Sequence, residues 1–175
     1  MTERLMGMAA MMLISVIGAG LPAQSNPRYT TVLIEYVGKS DRYLSPIIIS
    51  SSADEAEWYK QKLFSCRISA LMGPCLGPGL TEVYIVPEAT WAEIADKSLP
   101  KADLKRPVSN DGPRRWPGLR LILARGHDFQ EVTIDAEESV LMLGEIKKQV
   151  SAHPLLVSEL SEIEVPMNVY LKQQH

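Results

Sequence analysis

The chain has 175 residues, of which 46% are hydrophobic and 22% are charged, and its formal net charge is −3. This length and composition are typical of one globular domain with a sizeable core. A general nucleic-acid binder is usually strongly basic, so the mild negative charge argues against nucleic acid as a partner.

The N-terminal stretch has the order of a secretory signal peptide. Arg4 and the terminal amine provide a positive start, and residues 6–21 follow without a charge. Glycine and proline residues then loosen the chain ahead of Ala23, which is small enough for the peptidase pocket just before the cut. We therefore expect residues 1–23 to be a signal peptide and the mature protein to be exported, either periplasmic or secreted. The alternatives are a buried core helix or a retained anchor, although a spanning helix needs about 20 apolar residues.

Cys66 and Cys75 are the only cysteines of the chain. In an oxidising compartment this pair predicts a disulfide bond, which would close a ring of about ten residues and contribute a little under 3 kcal/mol at most. Two buried free thiols are the alternative. Two thiolates are too few for a four-cysteine zinc site, and their separation is not that of a Cys-x-x-Cys redox motif.

Three segments in the first half of the mature chain have the composition of strands. Residues 29–37 and 43–50 are rich in β-branched and aromatic side chains, and residues 80–86 repeat this composition. Pro46 has no backbone N–H to donate to a neighbour, so it makes the second segment a candidate edge strand.

Two helices are predicted in this part of the chain, one before the third strand segment and one directly after it. Ser52 with Glu55 three residues later is a capping-box pattern that opens the first helix. Its predicted apolar face consists of Ala56, Tyr59, Leu63, Cys66 and Ala70, and Gly73 with Pro74 ends it. The second helix opens at Pro87 and carries Trp91, Ile94 and Ala95 on its apolar side.

Residues 98–118 form the longest irregular stretch, and the region around them is basic. From Lys97 to Arg120 there are seven positive and two negative side chains, a local balance of +5. The positive side chains are those of Lys97, Lys101, Lys105, Arg106, Arg114, Arg115 and Arg120. We predict that Lys105, Arg106, Arg114, Arg115 and Trp116 bind an anionic protein, a glycan or a membrane surface. The alternative is a solvated loop with Trp116 anchored on the domain.

The second half of the chain begins with a predicted hairpin. Residues 119–124 and 129–134 have the composition of strands, and residues 125–128 have that of the turn between them. The side chains expected to point into the core from the return strand are Phe129, Val132 and Ile134.

Helices are predicted after the hairpin, followed by one short strand. Asp135 with Glu138 three residues later opens a helix that runs to about residue 151. His153 and Pro154 interrupt it, residues 155–163 continue as helix, and residues 165–171 predict a final strand. The residues near one face of the first of these helices are Val140, Leu143, Gly144 and Val150.

These elements predict an α+β fold with a mainly antiparallel sheet and helices packed on one face. The order strand, strand, helix occurs at residues 29–72 and again at 119–151, which suggests two ββα units. Residues 24–175 would form a single domain with the irregular basic loop 98–118. No segment after the leader is apolar enough to anchor the mature chain in a membrane.

The sequence offers few candidates for catalysis. The histidines are His127, His153 and His175, and none is spaced to share a metal ion with another. We therefore assign no catalytic residue, no metal site and no cofactor. The leading hypothesis is an exported protein, not an enzyme, that binds another macromolecule. The alternative is a small hydrolase whose site is assembled near His127 from Asp128 and a distant serine or glutamate.

Overall fold

The computed structural model describes residues 29–38, 40, 44–64, 81–101 and 117–174, and the side chains of all of these except residues 62–64. Predictions made for the signal peptide, for Cys66 and Cys75, for residues 102–116 and for His175 lie outside the described residues.

The described residues form one five-stranded sheet with the spatial order β3-β2-β1-β4-β5. The strands are β1 (Thr31–Val37), β2 (Ile47–Ser50), β3 (Glu82–Ile85), β4 (Gly118–Arg125) and β5 (Asp128–Asp135). β1 is antiparallel to both β2 and β4, and β4 is antiparallel to β5, whereas β2 and β3 run parallel. The predicted α+β class and the mostly antiparallel sheet are therefore confirmed.

β2 lies inside the sheet, so the prediction that it is an edge strand is wrong. It pairs with β1 on one side and with β3 on the other, and all four of its residues are buried. Pro46 does not disturb this pairing because the strand begins one residue later, and the Pro46 carbonyl accepts a hydrogen bond of 3.0 Å from the Glu82 N–H. The described edges of the sheet are β3 and β5.

Four helices accompany the sheet in the described part of the chain. They are α1 (Ala53–Phe64), α2 (Glu88–Lys97), α3 (Ala136–Gln149) and α4 (Pro154–Gln173). Both predicted cap residues accept the expected bond. Ser52 Oγ accepts from the Glu55 N–H at 3.3 Å, and Asp135 Oδ1 accepts from the Glu138 N–H at 3.0 Å. Each bond satisfies one of the backbone donors that a helix leaves unpaired in its first turn.

The final strand predicted over residues 165–171 is wrong, because α4 continues through Pro166. The buried side chains of α4 are Leu156, Leu160, Ile163 and Met167, which recur at intervals of four, three and four. That spacing keeps one apolar face against the core. Its burial outweighs the single helical hydrogen bond that a proline removes.

The helices cover both faces of the sheet, so the expectation of helices on one face is corrected. The larger core contains Val32 and Ile34 of β1 together with buried residues of α2, α3 and α4. The smaller core joins Leu33 of β1 to Ala56 and Tyr59 of α1. Successive strand residues point to opposite faces, and four consecutive residues are buried in β1 and in β4, which requires cover on both sides.

The return strand of the hairpin follows the same alternation. Ile134 is buried in the larger core and Val132 packs against it, as predicted. Phe129 instead packs against the smaller core. Val132 follows Phe129 by three positions, an odd offset, so the two side chains cannot share a face of a regular strand.

The strand, strand, helix order is present twice, as β1-β2-α1 and β4-β5-α3. However, α1 packs in the smaller core and α3 in the larger one. A two-fold rotation normal to the sheet would exchange the antiparallel neighbours β1 and β4 and leave both helices on the same face. The opposite placement of α1 and α3 therefore does not support two equivalent ββα units.

Candidate functional site

Two of the basic side chains counted between Lys97 and Arg120 are engaged within the fold. Arg120 lies in β4 with its side chain only 13% exposed, and its Nη1 and Nε atoms lie 3.5 Å from Glu35 and 3.6 Å from Glu131. Lys97 forms an ion pair with Glu93 one turn earlier on the surface of α2. Lys105, Arg106, Arg114, Arg115 and Trp116, which carry the predicted binding patch, lie outside the described residues.

The described ends of the basic stretch both lie beside the junction of β5 and α3. Pro100 lines a cavity together with Ile134 and Glu138. At the other end, Pro117 precedes Gly118, which pairs with Asp135. A Cβ atom at Gly118 would overlap the Ile134 carbonyl oxygen, so this close approach requires glycine. Pro100 and Pro117 therefore both lie beside the same junction of the domain.

Glu35, Arg120 and Glu131 form a charged cluster on the same face of the sheet as α1. Glu35 and Arg120 are cross-strand partners, and Glu131 lies diagonally opposite on β5. Burial raises the pKa of Glu35 above its ordinary value, Arg120 opposes this rise, and Glu131 adds to it. Desolvation therefore outweighs the attraction of the guanidinium group. Sequence reasoning missed this cluster because only the strand register brings the three side chains together.

The turn between β4 and β5, formed by Gly126 and His127, is held against α1. Gly126 adopts a left-handed conformation with φ of 59°, which glycine adopts without strain. The His127 ring stacks on Trp58, with 4.6 Å between ring centroids and 19° between ring planes. Tyr59 donates a hydrogen bond of 3.3 Å to the Asp128 carbonyl. Burial, followed by the negative charges of Glu55 and Asp128, raises the pKa of Tyr59.

Glu55 provides a second connection between α1 and this turn. Its carboxylate accepts hydrogen bonds from the Gly126 N–H at 3.1 Å, from Thr31 Oγ1 at 3.2 Å and from Thr30 Oγ1. The reciprocal half of the predicted capping box is absent, since the Ser52 N–H donates to Ser50 Oγ at 2.9 Å. The Glu55 carboxylate is therefore occupied in holding β1, the turn and α1 together.

This arrangement does not resemble a nucleophile with its activating base. Among the hydrogen bonds of the described residues, none joins the His127 ring to a hydroxyl group or a carboxylate, whereas a base must reach the proton it abstracts. His153 lies at the start of α4, where its carbonyl accepts from the Val157 N–H at 3.1 Å. Within the described ranges, no group of three or more His, Cys, Asp or Glu side chains is placed to hold a metal ion.

A cavity of about 290 Å³ lies between the end of α2 and α3. Its lining residues are Lys97, Ser98, Leu99, Pro100, Ile134, Glu138, Leu141, Met142 and Glu145. Ser98 Oγ is buried and has no hydrogen-bond partner among the described residues. Leaving a buried hydroxyl group unpaired costs on the order of 1–3 kcal/mol.

These features define an α+β protein. A cavity lies beside the larger core on one side of its sheet, and the charged cluster of Glu35, Arg120 and Glu131 lies on the other side. No protein-family model, no curated protein and no solved structure matches the chain. Among the helices in the described ranges, none combines the length and the apolar character needed to cross a bilayer.

Proposed function

We propose that this protein is exported and binds an anionic macromolecular surface through the basic stretch that β4 follows, without catalysing a reaction. The observation that carries the proposal is the concentration of positive charge. When the paired Lys97 and Arg120 are set aside, residues 101–117 still contain five basic and two acidic side chains, a balance of +3 in a chain of −3. A local field of this sign attracts anionic partners and orients them during encounter.

The attachment of this stretch supports the proposal. Pro100 and Pro117 both adjoin the β5–α3 junction, so the two described ends of the stretch that contains these basic residues lie at one place on the domain. Lys101, at its first end, is exposed. Positive charges that follow one another closely along the chain favour a shared anionic partner, because salt screens exposed charges that lie more than about 8 Å apart.

The alternative of a hydrolase near His127 has less support. The His127 ring stacks on Trp58, and the adjacent Glu55 carboxylate accepts hydrogen bonds from the turn and from β1. These contacts account for the placement of the turn without a catalytic role.

A binding experiment with matched charge variants tests the proposal. The full chain is passed over immobilised heparin, immobilised poly-glutamate and phosphatidylglycerol vesicles, which represent a glycan, an acidic protein and a membrane. The test variant replaces Lys105, Arg106, Arg114 and Arg115 with serine. The control variant replaces Lys60, Arg125, Lys148 and Lys172 with serine, which changes the net charge equally. We expect at least tenfold weaker binding for the test variant only, and binding that weakens as salt is added. Equal losses in both variants would refute a specific role for the stretch.

Export is tested separately by the intact mass of protein expressed with its own N-terminus. We expect a chain that begins near Gln24, with both thiols unreactive to alkylation until reduction, as a Cys66–Cys75 disulfide requires. A full-length mass with two reactive thiols would overturn the proposed export and disulfide. It would leave the charge experiment unaffected.

A further inference from the structure

The outer edge of β3 carries backbone groups that none of the described strands uses. Among those strands, β3 pairs with β2 alone and forms one edge of the sheet. The Glu82 N–H donates a hydrogen bond of 3.0 Å to the Pro46 carbonyl, so it points toward β2. Successive backbone groups of a strand point to opposite sides, and the N–H and C=O groups of Val83 and Ile85 therefore point outward. An extended segment laid along this edge finds donors and acceptors ready to pair.

The two faces of the sheet beside this edge differ in chemistry. Tyr84 packs against the larger core, and Glu82 shares that face because the two residues are two positions apart. Val83 packs against the smaller core, and Ile85 shares that face for the same reason. Glu82 is exposed, and the large apolar side chain of Ile85 is 45% exposed. One face at the edge therefore offers a carboxylate, and the other offers an apolar surface.

Helix α4 adds to the negative charge on the first of these faces. Burial raises the pKa of Glu159, and the negative charges of Glu162 and Glu82 raise it further. Glu159 and Glu82 likewise add to the effect of burial on the pKa of Tyr84. Carboxylates of α4 and β3 therefore lie near one another and repel. Neither Glu82 nor Glu159 has an ion-pair partner among the described residues, so a cation brought to this edge relieves the repulsion.

We propose that the β3 edge binds an extended cationic segment of another protein, in which basic and apolar side chains alternate. The backbone of this segment pairs with the outward groups of Val83 and Ile85, as an added strand does. Its basic side chains lie toward Glu82 and Glu159, and its apolar side chains cover Ile85. A second copy of the chain fits less well, because pairing β3 with β3 brings two sets of carboxylates together. The site selects the opposite charge from the basic residues 101–117, so either proposal can fail without the other.

The test is an NMR titration of the full chain with a capped heptapeptide of alternating lysine and valine. We expect saturable binding with a Kd below about 1 mM, and slower hydrogen exchange at the Val83 and Ile85 amides. A peptide with glutamate in place of lysine should bind at least about fivefold more weakly, and so should one with lysines and valines in separate blocks. Equal binding of the glutamate peptide, or unchanged exchange at the two amides, would overturn the proposal. Self-association through β3 without peptide binding would overturn it as well.

The backbone pairing is tested on both partners. Ile85→Pro removes an N–H that faces outward and keeps the bonds to β2, so we expect a folded protein that no longer binds the peptide. Two N-methylated peptides, one blocked at its valines and the other at its lysines, make the same test on the unaltered protein. Only the peptide whose blocked N–H groups face β3 should lose binding. Equal effects of the two methylations would refute strand addition.

A pair of charge variants tests the carboxylate contacts. Glu82→Gln combined with Glu159→Gln should weaken binding of the lysine–valine peptide at least about fivefold. Glu137→Gln combined with Glu138→Gln is the matched control, because it changes the net charge equally. Both control residues are exposed in the first turn of α3, which follows β5 at the opposite edge of the sheet. Equal losses in the two double variants would show a general charge effect and refute the proposed contacts.

Discussion

Replacing Arg120 with methionine should destabilise the protein by an amount that grows as the pH rises. Arg120 lies between two carboxylates at 3.5 and 3.6 Å, and all three side chains are at most one-fifth exposed. With an effective dielectric constant of about 20, each pair at these distances contributes roughly 4–5 kcal/mol of gross attraction, much of which is offset by desolvation. Removing the cation leaves both carboxylates poorly hydrated, so we expect a net loss of about 3 kcal/mol at pH 7.5.

The pH dependence follows from Glu35. Burial raises the pKa of Glu35 in the folded state, so between its unfolded and folded pKa values the folded protein binds more protons than the unfolded chain. The free energy of unfolding therefore falls as the pH rises through that window and Glu35 ionises. The window begins at the ordinary pKa of glutamate, about 4.3. Arg120 opposes the shift. Without Arg120 the pKa of Glu35 should rise further, so protonation at pH 4.5 should recover part of the loss.

Urea unfolding at pH 7.5 and pH 4.5, followed by circular dichroism, measures both quantities. Arg125→Met is the matched control because Arg125 lies on the same strand and is exposed. It should change the unfolding free energy by less than about 0.5 kcal/mol at either pH. A loss in Arg120→Met that is equal at the two pH values would refute the electrostatic reasoning, and so would a loss no larger than that of the control.

Three further predictions concern the folding signals. Glu55→Ala should lower the free energy of unfolding by about 2 kcal/mol, because it removes a charged acceptor from three donors. The exposed control Glu57→Ala should lower it by less than about 0.5 kcal/mol, and similar losses in urea unfolding would contradict the role of Glu55. Gly118→Ala should destabilise the protein by more than about 3 kcal/mol, because its Cβ would overlap a backbone carbonyl. Gly144→Ala should instead stabilise it by up to about 1 kcal/mol and raise the thermal midpoint, since nothing lies within 4 Å of its Cβ position. Tolerance of Gly118→Ala would disprove the close approach. Asp135→Ala should lower the free energy of unfolding by about 1 kcal/mol because the cap bond is lost, and Asp135→Asn should lower it much less. Calorimetry would resolve this difference, and equal losses in the two variants would contradict the role of the cap.

Local signals in the sequence located most of the elements correctly. The capping residues Ser52 and Asp135 open α1 and α3, and the strand patterns correspond to β1 through β5. These signals depend on residues within one or two turns of each other, so they can be read without the rest of the fold. An exception is residues 165–171, which were predicted as a strand but continue the apolar spacing of α4 through Pro166.

The candidate site was less accessible to sequence reasoning. His127 lies in the turn as predicted and Asp128 begins β5 directly after it, but the α1 partners Glu55, Trp58 and Tyr59 are some 70 residues earlier in the chain. Likewise, no spacing rule joins Ser98 to Glu138 across the cavity. The exposure of Leu141 and the unpaired Ser98 hydroxyl group are properties of the packed molecule alone.

By itself the sequence determined the α+β class, the helix starts and the position of the hairpin turn. The signals for these features are the spacing of apolar residues, the capping residues and the turn residues, and each of them acts over a short distance along the chain. The tertiary structure decided that β2 is central, that α1 lies opposite the other helices, and that Arg120 joins Glu35 and Glu131. Strand order and register pair residues that are far apart in sequence, and their energy depends on burial shared between elements rather than on any one segment.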